Sequence, residues 1–150
     1  MKIDDWCFTI DEEEHDDGVC RITHCPNLRQ LEIGWQSFRD FKSFELSNLN
    51  SIQSIEFGGK CFKYVREFVI DGLESLESVK IGGWCFRIDG EERNDGVCRI
   101  TNCPNLRQLE IGWQSFRDFK SFELCNVNSL QSIKFGGCFF YANDFSLKGE

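Results

Sequence analysis

The chain has 150 residues, the length of one ordinary domain, with 41% hydrophobic residues and a formal net charge of −8. That charge argues against nucleic acid or an anionic membrane as partner, since both require a basic face. No apolar run is long enough to cross a bilayer, and the start MKIDDWCFTIDEEEHDD lacks the uninterrupted apolar stretch of a secretory signal. With no Asn-x-Ser/Thr acceptor either, a cytoplasmic location and no membrane insertion are expected.

Taken in chain order, short segments of alternating apolar and polar residues recur. Lys2-Ile3 is the tail of one, and Cys20-Arg21-Ile22 is the next. His24 follows, then LRQLEIGWQSF from Leu28. Phe44-Glu45-Leu46, Asn48 and IQSIEFGGKCF from Ile52 repeat the sequence of events. Phe68-Val69-Ile70, Gly72 and LESVKIGGWCF from Leu76 do so again. Cys98-Arg99-Ile100, Asn102 and LRQLEIGWQSF from Leu106 form the fourth round. Phe122-Glu123-Leu124, Asn126 and LQSIKFGGCFF from Leu130 form the fifth, and Phe145-Ser146-Leu147 with Gly149 opens another. A two-residue alternation is the signature of a half-buried strand, and helical spacing is nowhere sustained. Each round therefore predicts strand, tight turn, strand and a returning loop.

The last apolar residue before Gly falls at Ile3, Ile33, Phe57, Ile81, Ile111 and Phe135, which gives spacings of 30, 24, 24, 30 and 24. A larger period of 78 contains these: Asp17 to Leu46 recurs as Asp95 to Leu124, with Asn102 in place of His24 as the one change. Fixed period with length variation confined to one loop describes a solenoid. The predicted fold is mainly β, one domain over residues 1–150, made of long repeats 1–78 and 79–150 and five to six coils. The 15 Phe fit this reading, because one residue type fills one slot repeatedly. Phe38, Phe62, Phe86 and Phe116 are expected to stack in one column, and Phe44, Phe68 and Phe122 in a second. The slot His24, Asn48, Gly72, Asn102, Asn126, Gly149 predicts positive φ, which Asn and Gly tolerate best. Gly34, Gly58, Gly82, Gly112 and Gly136 predict a forced bend at the end of the main strand.

At Leu28, Leu31, Ile33 and Phe38, and at their equivalents in four other coils, the chain resembles the leucine-rich-repeat family, L-x-x-L-x-L-x-x-N-x-L. The I-G-x-x-S/C-F element is most similar to the BspA-like class. The resemblance departs at the ninth position, where Gln36, Lys60, Trp84, Gln114 and Cys138 replace the family's Asn, so the Asn/Gly slot is the candidate to supply a ladder instead. The resemblance implies a curved, right-handed solenoid used mostly for binding other proteins.

The outward main-strand residues Lys2, Glu32, Glu56, Lys80, Glu110 and Lys134 form a charge column. It reads either as a recognition stripe or as cross-strand ion pairs that favour register. Trp35 and Trp113 read as interface anchors or as packing against the next coil. Nine Cys mostly occupy slots that other coils fill with small or apolar residues, so packing is expected. A metal site from Cys20, His24 and Cys25 lacks a fourth ligand, and the second copy loses the His. Cys61 and Cys85 share a slot in adjacent coils, where a disulfide is conceivable. Cys125 and Cys138 are expected to be more exposed. The acidic runs Asp11 to Asp17 and Asp89 to Asp95 lack the ligand spacing of a calcium loop. No nucleophile–base pair and no cofactor motif is visible. The expected function is a non-enzymatic structural or protein-binding scaffold. Its alternatives are a head-to-tail filament subunit, because both ends align inside a coil without a polar cap, and a hydrolase using the acidic loops.

Overall fold

The computed structural model describes residues 1–3, 18–39, 41–87, 95–137 and 144–148. The chain forms a mainly-β solenoid of about five turns, and among the described residues there is no helix. The main strands are β1 (Lys2–Ile3), β3 (Gln30–Ile33), β5 (Ser54–Phe57), β7 (Ser78–Ile81), β9 (Gln108–Ile111) and β11 (Ser132–Phe135). Between them come β2 (Val19–Thr23), β4 (Ser43–Ser47), β6 (Glu67–Asp71), β8 (Gly96–Thr101), β10 (Phe119–Cys125) and β12 (Asp144–Lys148). The odd-numbered strands make one six-stranded parallel sheet and the even-numbered strands a second. Each strand pairs in register with its equivalents in neighbouring coils: Leu31 with Ile55, Ile55 with Val79, Val79 with Leu109 and Leu109 with Ile133. Alternation is the cause, since a slip of one residue would turn every apolar side chain outward. The difference between 30- and 24-residue repeats falls between β1 and β2 and between β7 and β8, on stretches that include residues 4–17 and 88–94, outside the described set.

The interior is built of columns. Phe38, Phe62, Phe86 and Phe116 stack nearly parallel, with centroid separations of 5.5, 4.7 and 4.5 Å. The second expected column needs correction. Register runs Cys20, Phe44, Phe68, Cys98, Phe122, so a Cys separates Phe68 from Phe122. Phe44 and Phe68 do stack, at 5.9 Å and 8°. Phe119, fully buried, also packs edge-on to Phe86 and Phe116.

Corners are where the backbone departs from ordinary strand geometry. Positive φ occurs at the expected turn slot, at His24, Asn48, Gly72, Asn102 and Asn126. It occurs also at two slots the sequence pattern does not announce, Gln36, Lys60, Trp84 and Gln114, and then Phe38, Phe62, Phe86 and Phe116. A left-handed residue between extended ones bends the chain within the plane of a coil. Its N–H can then still point along the solenoid axis: Lys60 N–H donates to Gly83 O (2.8 Å) and Trp84 N–H to Trp113 O (2.8 Å), while Phe86 N–H donates back to Cys61 O (3.1 Å). None of these side chains is β-branched, the class for which this conformation is least tolerable.

The strand-closing glycines answer to a different constraint from the bend expected of them. None of the described ones has positive φ. A Cβ on Gly112 would lie 2.4 Å from Gly83 N, one on Gly82 2.7 Å from Gly58 C, and one on Gly136 2.5 Å from Trp113 N. Glycine is required because the preceding coil's backbone already fills the space.

Two substitutions test this packing. Phe62→Ala should cost about 3–5 kcal/mol in chemical denaturation, with amide exchange rising mostly in the coils that touch Phe62; a loss of a few tenths would refute the register. Gly112→Ala should cost about 1–3 kcal/mol through overpacking, whereas Gly72→Ala meets no neighbouring atom and carries only the cost of positive φ.

Candidate functional site

The outward column of the odd-numbered sheet has the register expected of it. Lys2 faces Glu32, Glu32 faces Glu56, Glu56 faces Lys80, Lys80 faces Glu110 and Glu110 faces Lys134. Lys80 Nζ lies 3.1 Å from Glu56 and Lys134 Nζ 3.3 Å from Glu110. Both pairs are open to solvent, so each contributes ~0–1 kcal/mol. Around them Gln30, Ser54, Ser78 and Gln108 complete a shallow polar groove across four coils. The even-numbered sheet carries its own ion pairs, Arg21 to Glu45 at 2.7 Å and Arg99 to Glu67 at 3.4 Å.

Trp35 and Trp113 combine packing with exposure. They are 36% and 44% exposed, yet each lies over a glycine of the next coil. A Cβ at Gly59 would be 3.1 Å from Trp35 Cδ1, and one at Gly137 would be 3.2 Å from Trp113 Cδ1. Trp113 also meets Trp84 edge-on at 4.9 Å. Each indole is thus packed in part and exposed in part.

The cysteines divide by position. Cys61 donates from Sγ to Gly34 O (3.0 Å) and Cys85 to Gly58 O (3.1 Å), and Ser115 Oγ donates to Gly82 O (2.7 Å) in the same slot. This buried Ser/Cys ladder ties each coil to the one before it, and no disulfide joins Cys61 to Cys85. The Asn slot supplies a second, exposed ladder: Asn126 Nδ2 donates to Asn102 Oδ1 (2.8 Å), and Asn102 Nδ2 to Asp71 Oδ1 (2.9 Å). Cys20 points inward under Phe44, whereas His24 and Cys25 are exposed at the turn, with His24 Nδ1 2.9 Å from Thr23 Oγ1. Among the described residues no group of three or more His, Cys, Asp or Glu is placed to hold a metal ion. Cys125 is half-buried, while Cys7, Cys138, Asp11 to Asp17 and all but Asp95 of the second acidic run lie outside the described residues.

Burial pushes the Cys20 and Cys103 thiols up to about 11, and pushes Cys85 and Cys98 well above the usual range. A thiol is a nucleophile only as thiolate, so these groups are chemically quiet near neutral pH.

Comparison with family profiles, with curated proteins and with solved structures finds no match.

Two outcomes follow for the thiols. Alkylation by iodoacetamide at pH 8, read by mass spectrometry, should label exposed Cys25 before Cys85, Cys98 and Cys103, which should react only after denaturation. Because the folded-state values of Cys20 and Cys103 are raised, folding holds their protons more tightly. Stability is then fully present below pH ~9 and should fall as pH rises from there through about 11. A denaturation midpoint that is flat or rising across that window would contradict the burial assigned to them.

Proposed function

We propose that the chain is a non-enzymatic repeat scaffold whose odd-numbered sheet presents a flat polar face to another protein. The observation that carries this reading is the outward column Glu32, Glu56, Lys80, Glu110, Lys134, held at strand spacing of ~4.8 Å on one sheet, with Trp35 and Trp113 partly exposed two residues beyond β3 and β9. Rigid presentation lowers the ordering cost of association, and two half-exposed indoles supply the aromatic contacts that interface centres favour. The Glu32–Glu56 neighbours set two like charges together, which would favour a cationic side chain from a partner at that point. A photo-crosslinker at position 56, compared with one at position 99 on the opposite sheet, tests the reading. Crosslinks to one protein from the first position only, lost on Trp35→Ala, are expected. Turnover of a generic ester or glycoside by the pure chain would overturn it.

A second reading, assembly of copies end to end, is favoured by the terminal coils. Phe135 is 44% exposed where Phe57 in the same slot is 1% exposed, and Leu147 is 59% exposed. The edge of β12 would continue in parallel onto the edge of β2 in a second copy, a contact that does not close on itself. Light scattering at micromolar concentration should show oligomers that Phe135→Glu dissolves; a monodisperse monomer would overturn this reading.

A further inference from the structure

The charge column of the odd-numbered sheet has a property that a register device does not need. From β5 to β11 it reads Glu56, Lys80, Glu110, Lys134 in paired register. Reversed, those signs are their own complement. The four side chains are 54%, 57%, 41% and 72% exposed. A stripe of balanced charge draws in no simple cation or anion; what fits it is a face with the reversed order of signs. The residue just before each of these strands obeys the same rule. Gln53, Glu77, Arg107 and Gln131 are all exposed. They are stacked by backbone bonds from Glu77 N–H to Gln53 O (2.8 Å), Arg107 N–H to Glu77 O (2.9 Å) and Gln131 N–H to Arg107 O (2.9 Å). Reversal sets Glu against Arg there, and Gln against Gln.

One symmetry operation lets two copies satisfy both rows. Their odd-numbered sheets face each other about a two-fold axis that runs parallel to the strands and passes between β7 and β9. The solenoid axes then run in opposite directions, and every row faces itself reversed. Glu56 meets Lys134 of the second copy, Lys80 meets Glu110, and Glu77 meets Arg107. Ser54 meets Ser132 and Ser78 meets Gln108, so the uncharged row brings no like charges together. A two-fold along the solenoid axis would instead set each charge against its own copy. A slip of one coil sets either Lys80 or Glu110 against itself, and such like-charge contacts are what exclude wrong pairings. The even-numbered sheet offers no equal. There the axis that pairs Arg21 with Glu123 and Glu45 with Arg99 sets Glu67 against Glu67 and Asp71 against Asp71.

We propose that the odd-numbered sheet binds a second copy of this chain in an isologous dimer, with Lys80 and Glu110 beside the two-fold axis. The inference rests on the reading that this sheet is the binding face, and it names the partner. Across the interface each charge gains an opposite neighbour besides the one in its own sheet, where Lys80 lies 3.1 Å from Glu56 and Lys134 lies 3.3 Å from Glu110. The net charge of −8 does not forbid this, because at physiological salt charges beyond ~8 Å are largely screened and the local pattern decides. Strands at ~4.8 Å with residues at ~3.3 Å give the shared face a footprint of about 250 Å². Stable complexes bury ~800 Å² per partner, so this dimer is a weak one that forms at high concentration.

Sedimentation equilibrium of the pure chain up to about 1 mM should show association that closes at two copies. Lys80→Glu and Glu110→Lys each install a charge that the same column already carries in other coils, so both variants should fold. Each alone should weaken the dimer at least tenfold, by setting like charges together beside the axis. Mixed in equal amounts the two variants should recover it, because every position then meets its opposite again; a folding defect gives no such rescue. Arg99→Glu makes the same change of net charge on the other sheet and should leave the dimer as it was. A monomer at every concentration, equal losses in Lys80→Glu and Arg99→Glu, or no recovery in the mixture would overturn the proposal. If the chain stays monomeric while a crosslinker at position 56 captures a different protein, this proposal fails and the reading of the face stands. With neither dimer nor crosslink, both fail.

Discussion

Parallel strands in successive coils sit one hydrogen-bond spacing apart, ~4.8 Å, and the rest of this molecule depends on that spacing. At this distance any residue has its own counterpart directly above and below it. Flat rings such as Phe62 and Phe86 match the spacing by stacking. Gly82 and Gly112 match it because backbone meets backbone there with no room for a Cβ. The thiols of Cys61 and Cys85 match it by reaching one carbonyl back. A side chain that could not tolerate its own copy at this distance would part the coils.

The same spacing disciplines charge. Where the column alternates, as at Glu56 and Lys80, the coils hold one another weakly and in register. At the corner after each stacked Phe, Arg39, Lys63 and Arg87 are half-buried, and the Arg87 guanidinium lies over the Trp84 ring. The two columns lie on one chain, with one overall charge, and differ only in sequence phase. Net charge is therefore a poor guide to what any single face of a solenoid attracts.

Corners carry the backbone's share of the constraint. Each left-handed non-glycine residue costs ~1–3 kcal/mol and persists only where its surroundings impose it, and here hydrogen bonds to the coils on either side do so. Lys60 to Gly83 and Phe62 to Ser37 are such bonds, one in each direction along the axis. The phenylalanines thereby serve twice, as the ring stack of the interior and as the bend that brings the chain to its second sheet.

What the sequence determined by itself was whatever repeats with a fixed phase. The alternation in Leu31, Glu32 and Ile33 is enough to assign strand, inner face and register, because only one register keeps every coil's apolar residues inside. The turn slot at Asn48 and Asn102 was legible because Asn there is a recognised answer to positive φ. Tertiary structure alone decided the rest. Phe38 and Gln36 give no local sign of a left-handed backbone, since the hydrogen bonds that impose it come from other coils. The demand for glycine at Gly112 is set by Gly83, far away in sequence, and no bend in its own segment reveals it. The cations after each Phe were visible as letters, yet only folding brought Arg39, Lys60, Lys63 and Arg87 around one pocket, because their convergence comes from stacking coils and from no spacing within any one of them.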